Sequence, residues 1–266
     1  MRVMHEIRDR SEQILFAAIS EFIRSGEPVS SKLLFNKYGF GISPASIRSE
    51  LNTLEEGGWL SQIHTSGGRV PTDKAYERYA ARVRERLDER AEPSKSMTAL
   101  AEALLGREFD DFLGGFADEV KALSAGYSTG EGRVIKSGLD ELFGQLPGES
   151  ADIFRDMAKE IETLDRRMED FFSTYSRHGG LEIFVGEKNP FVKSEHVSAV
   201  FDSFDVDGEA FFLLTIGPKR MNYEHSCRAF LGVKKAMHSG HGGSKVVSPD
   251  RGPRSTPSSK RNAGKR

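Results

Sequence analysis

The chain has 266 residues, of which 37% are hydrophobic and 29% charged, with a formal net charge of −2 and a single cysteine, Cys227. This length can bury a sizeable core and suggests two domains, and the near-neutral balance means that any nucleic-acid contact must come from a local basic patch. One cysteine excludes an intrachain disulfide and a thiolate zinc cluster; no run reaches the ~18 apolar residues of a membrane span, and the first residues, with Glu6, Arg8, Asp9 and Arg10, lack the apolar core of a signal peptide, so a soluble, cytoplasmic protein is expected.

Ser11 to Ser25 is strongly amphipathic, with Ile14, Leu15, Ala18, Ile19, Phe22 and Ile23 on one side, and predicts a helix ended by Gly26. Pro28-Val29-Ser30 leads into a short helix over Ser31 to Tyr38, capped by Ser30. A third helix begins at Ser43 and Pro44, a cap followed by a residue suited to the first turn, and Ile47, Leu51 and Leu54 form its inner stripe. Gly57-Gly58 ends it. Its other face carries Ala45, Ser46, Arg48, Ser49 and Asn52, a small and polar surface around one arginine that suits a major groove about 12 Å wide. Trp59 to Ile63 and Arg69-Val70 read as the strands of a hairpin turning through His64-Thr65-Ser66-Gly67-Gly68. Helix, short helix, polar-faced helix and hairpin is the order of a winged helix-turn-helix. The same stretch taken alone could be a helix and hairpin in an ordinary α+β core.

On the first reading the DNA contacts are Ser31 and Lys32 on the second helix, Ser43, Ala45, Ser46, Arg48, Ser49 and Asn52 on the third, and His64, Thr65, Ser66 and Arg69 in the hairpin. Arg48, Ser49 and Asn52 would read bases. His64 and Arg69 would hold the phosphate backbone, weakening all sequences evenly when removed.

Thr72 caps a further helix, Asp73 to about Ala91, with Tyr76, Tyr79, Ala80, Val83 and Leu87 on its apolar side. Its charged later turns predict a solvated connection between domains. Glu92-Pro93-Ser94 places the boundary near 91–97. From Met97 to about Ser124 the pattern is helical, and Gly114-Gly115 predicts a kink or a split into two helices. Residues 125–150 are rich in Gly and Ser, with a short helical piece over Leu139 to Phe143.

Over 151–175, Phe154, Met157, Ile161, Leu164, Met168, Phe171 and Tyr175 alternate steps of three and four. This is the seam of a coiled coil or, as the preferred reading, one face of a helix in a globular core. Leu181 to Val185, His196 to Phe204 and Ala210 to Ile216 predict an antiparallel sheet of at least three strands, with a hairpin turn at Asp205-Val206-Asp207-Gly208. A closing helix runs from Tyr223 to Met237. From Ser239 onward the composition predicts a disordered basic tail, either a solvated terminus or a source of salt-sensitive affinity for DNA phosphates. HSGHGG at 238–243 is a poor metal site, since two histidines stand there without a carboxylate or thiol.

No nucleophile with a base, metal cluster or phosphate loop is evident. GFG at 39–41 has no preceding strand and no third glycine, so it is not a dinucleotide fingerprint, and Glu55-Glu56 and Asp110-Asp111 read as exposed faces. Enzyme activity is not expected, and no catalytic residue, metal or cofactor is assigned.

GEPVSSKLL, ISPASIRSELNTLE and HTSGGRVPTDKAYERY, in this order and spacing, resemble the N-terminal part of the heat-inducible transcription repressor HrcA family. LEIFVGEKNP at 181–190 and TIGPKRMNY at 215–223 resemble closing strands and the following turn of its C-terminal domain, and SGLDELFGQ matches weakly. Ser46 and Ser49 stand where the family more often has Thr and Asn.

The resemblance implies an α+β protein: a winged helix-turn-helix over 1–91, a dimerisation and regulatory domain over 97–238 with helices and a small antiparallel sheet resembling a truncated GAF-like domain, and the tail 239–266. With no strand legible between 97 and 180, the first strands of that domain and most of the family's inserted dimerisation segment are expected to be absent or replaced by helices.

It also implies a repressor of heat-shock (chaperone) genes that binds an inverted-repeat operator as a homodimer, is inactivated on heat stress and has the chaperonin as a partner. The expected dimer contact is the seam Phe154, Met157, Ile161, Leu164, Met168 and Phe171, or the sheet edge from Leu181. A Gly-rich segment and a small sheet predict that the C-terminal half is the heat-labile part. A winged-helix protein acting mainly through protein or ligand contacts is the alternative.

Overall fold

The computed structural model describes residues 9–63, 68–87, 92–145, 151–175 and 180–240. The expected hairpin turn at His64, Thr65, Ser66 and Gly67, the end of the expected connecting helix at 88–91 and the tail beyond 240 lie outside them.

Three helices and a two-stranded hairpin make up the N-terminal unit: α1 (Asp9–Ser25), α2 (Ser31–Lys37), α3 (Pro44–Glu56), β1 (Leu60–Gln62) and β2 (Arg69–Pro71). Its core joins Ile14, Leu15, Ala18 and Ile19 of α1 to Leu34 of α2 and Ile47, Leu51 and Leu54 of α3, all at most 2% exposed. The helix ends are chemically explained. Ser30 and Ser43 accept the Leu33 and Ser46 amides, and Gly26 and Gly58 take positive φ, where a side chain would be strained.

Glu21 on α1 is a buried acid, 5% exposed. Its carboxylate accepts from Arg24 at 2.6 Å, from Lys37 of α2 at 2.7 Å and from the Tyr38 hydroxyl at 3.1 Å, so it locks α1 to α2. The hydrogen bonds from Arg24 and Lys37 hold its pKa down at about 2, against the burial that opposes ionisation. A depressed carboxylate contributes stability that is fully present above its unfolded value near 4.5 and lost as pH falls through about 2. Glu21→Gln is therefore expected to cost about 1–3 kcal/mol at neutral pH, the range for unmaking hydrogen bonds to a charged group. Thermal melts at descending pH should show the variant losing less stability in acid than the parent.

Thr72 caps α4 (Asp73–Arg86), which ends a turn earlier than expected as the backbone becomes extended at Leu87. It is not simply a solvated connector. Ala75, Tyr76, Ala80 and Val83 are buried, and the helix packs on α1 and on parts of the C-terminal half at once, which explains its apolar stripe.

The helical stretch from Met97 is split into two helices, α5 (Lys95–Leu105) and α6 (Phe109–Val120). The break falls at Gly106-Arg107-Glu108 rather than at Gly114-Gly115, which lie inside α6. Gly115 is there for space: a Cβ would sit 2.8 Å from the Leu100 side chain of α5.

The C-terminal half corrects the expectation that no strand lies between 97 and 180. β3 (Leu123–Ser128) and β4 (Arg133–Ser137) form an antiparallel hairpin there, followed by α7 (Leu139–Gly144). With β5 (Glu182–Val185), β6 (Val197–Val206) and β7 (Glu209–Pro218) they build a five-stranded antiparallel sheet of order β4-β3-β7-β6-β5. The sheet of at least three strands expected from Leu181 onward is present as β5, β6 and β7, and β3 and β4 extend it by two. Asp207 and Gly208, both at positive φ, make the tight β6–β7 turn.

Along β6 and β7 the side chains alternate between two cores. Val200, Phe204, Phe211 and Leu213 join the layer with α5, α6 and α10 (Tyr223–Gly240). Phe201, Phe212, Leu214 and Ile216 face a second core with α8 (Ala151–Glu162) and α9 (Leu164–Thr174). No helix among the described residues is long and apolar enough to cross a membrane.

The seam residues of 151–175 belong to that second core. Met157, Ile161, Leu164 and Met168 are at most 8% exposed, Phe154 stacks on Phe143 at 5.7 Å, and Phe171 packs on Phe191 at 4.8 Å. Thr163 interrupts the helix between α8 and α9. The three-and-four spacing is satisfied inside the chain's own sheet-covering layer, so this stripe is not free to make the expected dimer contact.

Two motifs from the C-terminal half converge on α4. Lys188, in the 3-10 turn Gly186–Lys188 after β5, pairs with Glu77 at 2.7 Å, and Lys219 pairs with Asp73 at 2.5 Å. Gly186 has a φ of 58°, and a Cβ there would lie 2.3 Å from the Asp73 carboxylate. Tyr223 is fully buried between Tyr76 and Tyr79, with ring centroids at 6.1 and 6.3 Å.

Candidate nucleic-acid interface

The outer face of α3 is open to solvent. Ser43, Ala45, Ser46, Arg48, Ser49 and Asn52 are all exposed, opposite the buried stripe of Ile47, Leu51 and Leu54. Ser11 of α1 donates to Glu50 at 2.6 Å and fixes the helix from behind. The Ser43 and Ser46 hydroxyls share a hydrogen bond of 3.0 Å at the N-terminus. Arg48 presents a guanidinium to solvent from this surface, able to pair with two acceptors at once.

Of the α2 candidates, Lys32 is exposed, whereas Ser31 is 8% exposed and turned into the unit, so its side chain does not stand with the others. Phe35 on α2 and Ile63 after β1 are large apolar residues of this unit that stand 46% and 54% exposed, which the sequence pattern did not indicate.

The hairpin is held at its base. Thr72 donates to the carbonyls of Gly58 and Trp59 at 2.9 and 3.1 Å, and the Lys74 ammonium lies 3.9 Å from the centre of the Trp59 ring. Its return strand is pinned to the segment between α1 and α2, because the Arg69 amide donates to the Val29 carbonyl at 2.9 Å and the Val29 amide to the Arg69 carbonyl at 2.8 Å. Gly68 passes so close that a Cβ would meet the Pro28 backbone at 2.5 Å.

Arg69 departs from its expected role. Its side chain is only 12% exposed; Nε donates to Glu55 Oε2 at 2.8 Å, and Nη2 donates to Asn52 Oδ1. The guanidinium lies between hairpin and helix, where it is not the free cation that the phosphate-holding role requires. Glu55, expected on a solvated face, is its anchor. His64, Thr65 and Ser66 lie outside the described residues.

Residues 61–227 match the family model described as the HrcA protein C terminal domain. The heat-inducible transcription repressor HrcA of Sorangium cellulosum (strain So ce56) is 54% identical over 72 residues, 27% of this chain and 21% of that protein. The heat-inducible transcription repressor HrcA of Thermosynechococcus vestitus (strain NIES-2133 / IAM M-273 / BP-1) is 40% identical over 104 residues, 39% of this chain and 28% of that protein. The matched stretches thus span 21% and 28% of those two relatives' length. A crystal structure of a hypothetical protein shares the fold, with a TM-score of 0.69 at 16% identity over 88% of this chain and 99% of the other.

Proposed function

The chain belongs to the HrcA family, and from that premise we propose that it is a DNA-binding transcriptional repressor of heat-shock (chaperone) genes. Residues 1–91 act as a winged helix-turn-helix with α3 as the recognition helix and the β1–β2 hairpin as the wing. Residues 97–238 act as the dimerisation and regulatory domain, GAF-like in its sheet. The observation that carries this reading is the outer face of α3: five exposed, small or polar residues around Arg48, with no bulky apolar side chain, on a helix whose other side is fully packed. Such a face suits entry into a major groove.

In this reading the chain binds an inverted repeat as a homodimer, since one recognition helix reads too few bases for a repressor. With the 151–175 stripe buried within the chain, the sheet edge from Leu181 is the dimer contact that remains. Light scattering of the full chain with operator present is expected to give a dimer at micromolar concentration; a monomer under those conditions contradicts the assembly. The repressor loses activity on heat stress, and the chaperonin, by rescuing the inactive form, sets the active fraction through mass action.

The DNA-binding claim is tested by titrating the full chain with duplexes from upstream of the host's chaperone genes over a range of salt. Affinity that exceeds that for a scrambled duplex, and falls steeply with salt, is the expected outcome. Equal binding to both duplexes would remove the repressor reading.

A further inference from the structure

We propose that Arg69 is a specificity-positioning residue: it fixes the amide of Asn52 so that this side chain can read one base pair in each half-site. The inference rests on the function proposed above and deepens it.

An exposed asparagine on a helix surface rotates freely, and its two ends differ, one an acceptor and the other a donor of two hydrogens. Bidentate recognition of adenine needs both, with the oxygen accepting from N6 and the nitrogen donating to N7. Asn52 stands one helical turn after Arg48 on the outer face of α3 and is exposed. Its Oδ1 accepts from Arg69 Nη2, which determines which end is oxygen and where it points. Oδ1 keeps a second lone pair, and Nδ2 keeps its hydrogens for a base edge.

The arginine that does this is itself immobilised from several directions. Its backbone bonds Val29 through both amide and carbonyl, its strand pairs with Gln62, and Glu55 Oε2 holds its Nε at 2.8 Å. A side chain so restrained and only 12% exposed is badly placed to follow a phosphate. It is well placed to hold a neighbour still. The hairpin thereby takes part in sequence reading without touching a base, and Glu55 completes the chain of contacts from helix to hairpin and back.

The test is selection by the 266-residue chain and its variants from a duplex library with a randomised centre, followed by sequencing of the bound fraction. The parent is expected to prefer an A·T pair at one position of each half-site. Asn52→Ala should lose about tenfold of the discrimination at that position. Arg69→Met should lose discrimination at the same position, and the double variant should lose no more than Asn52→Ala alone. Glu55→Gln keeps the arginine but loosens its anchor and should show part of the same loss, so the inference remains testable if Arg69→Met does not fold.

A structural or phosphate-binding role for Arg69 would instead lower binding to all sequences in proportion and leave the preference intact, and either result overturns the proposal. So would an unchanged preference in Asn52→Ala. A parent that selects no sequence at all would remove the proposed function itself, a failure distinct from those.

Discussion

Replacing Tyr223 by alanine is expected to destabilise the chain by about 3–5 kcal/mol, the range for deleting a buried aromatic ring. The ring is fully enclosed, packed on Tyr76 and Tyr79 of α4, and its hydroxyl lies 2.8 Å from Ser198 Oγ and donates to the Lys219 carbonyl at 2.6 Å. Burial holds its pKa well above the ordinary tyrosine value against the opposing hydrogen bond with Ser198, and the hydroxyl acts as a neutral donor. Tyr223→Phe should keep the packing and cost about 1–3 kcal/mol for the hydrogen bonds left unmade. Denaturant midpoints of the three proteins give the ordering directly. Because Tyr223 ties α10 to α4, the alanine variant should also loosen the N-terminal unit, visible as reduced amide protection in α1 and α4.

Arg48→Ala should leave the fold intact and impair DNA recognition by about 1–3 kcal/mol, the range for one bidentate base contact. Arg48 is exposed and contributes nothing to the buried stripe of α3, so stability should change by less than about 0.5 kcal/mol. The sign of its role is read from sequence preference. If it meets a base edge, discrimination falls at one position; if it meets a phosphate, all sequences weaken together and the salt slope drops by about one. Unchanged affinity and preference would remove α3 from the groove.

The N-terminal unit was legible because each of its elements carries a local signal. Ser30, Ser43 and Thr72 cap the expected helices, Gly26 and Gly58 stop two of them, and the spacing of Ile47, Leu51 and Leu54 marks the buried side. What the sequence concealed there was a pairing across distance: nothing in the spacing of Asn52, Glu55 and Arg69 says that the hairpin folds its arginine back onto the helix.

The strand β3 was illegible for a different reason. Leu123 and Ser124 read as the end of the preceding helical pattern and Ala125-Gly126-Tyr127-Ser128 as the start of a Gly- and Ser-rich segment, yet the small residues are a packing requirement. A Cβ on Gly126 would lie 2.3 Å from the Phe211 ring and 3.1 Å from Leu113 of α6, so only glycine lets α6 and β7 approach there. Loss of side-chain bulk on one strand serves the bulk of its neighbours. The same misreading made the C-terminal half look short of core, whereas Phe172 stacks on Phe212 at 4.1 Å within a sheet covered on both faces.

That core alters the expected route of heat inactivation. The sheet half is well packed, and its joint to α4 places Tyr76 and Tyr223 in one continuous core with α1. Heat should therefore act on the chain cooperatively, with DNA binding and sheet packing lost together.

The central claim is tested most directly by following, on one temperature ramp, the full chain's binding to a labelled duplex from upstream of the host's chaperone genes and to a scrambled duplex, with near-ultraviolet circular dichroism reporting the aromatic core. Repression relieved by heat predicts sequence-preferring binding in the cold that disappears over the temperatures at which the aromatic signal is lost, and at higher temperatures when chaperonin is present. Equal affinity for both duplexes at every temperature, or preferential binding that outlasts the loss of the aromatic signal, would contradict it.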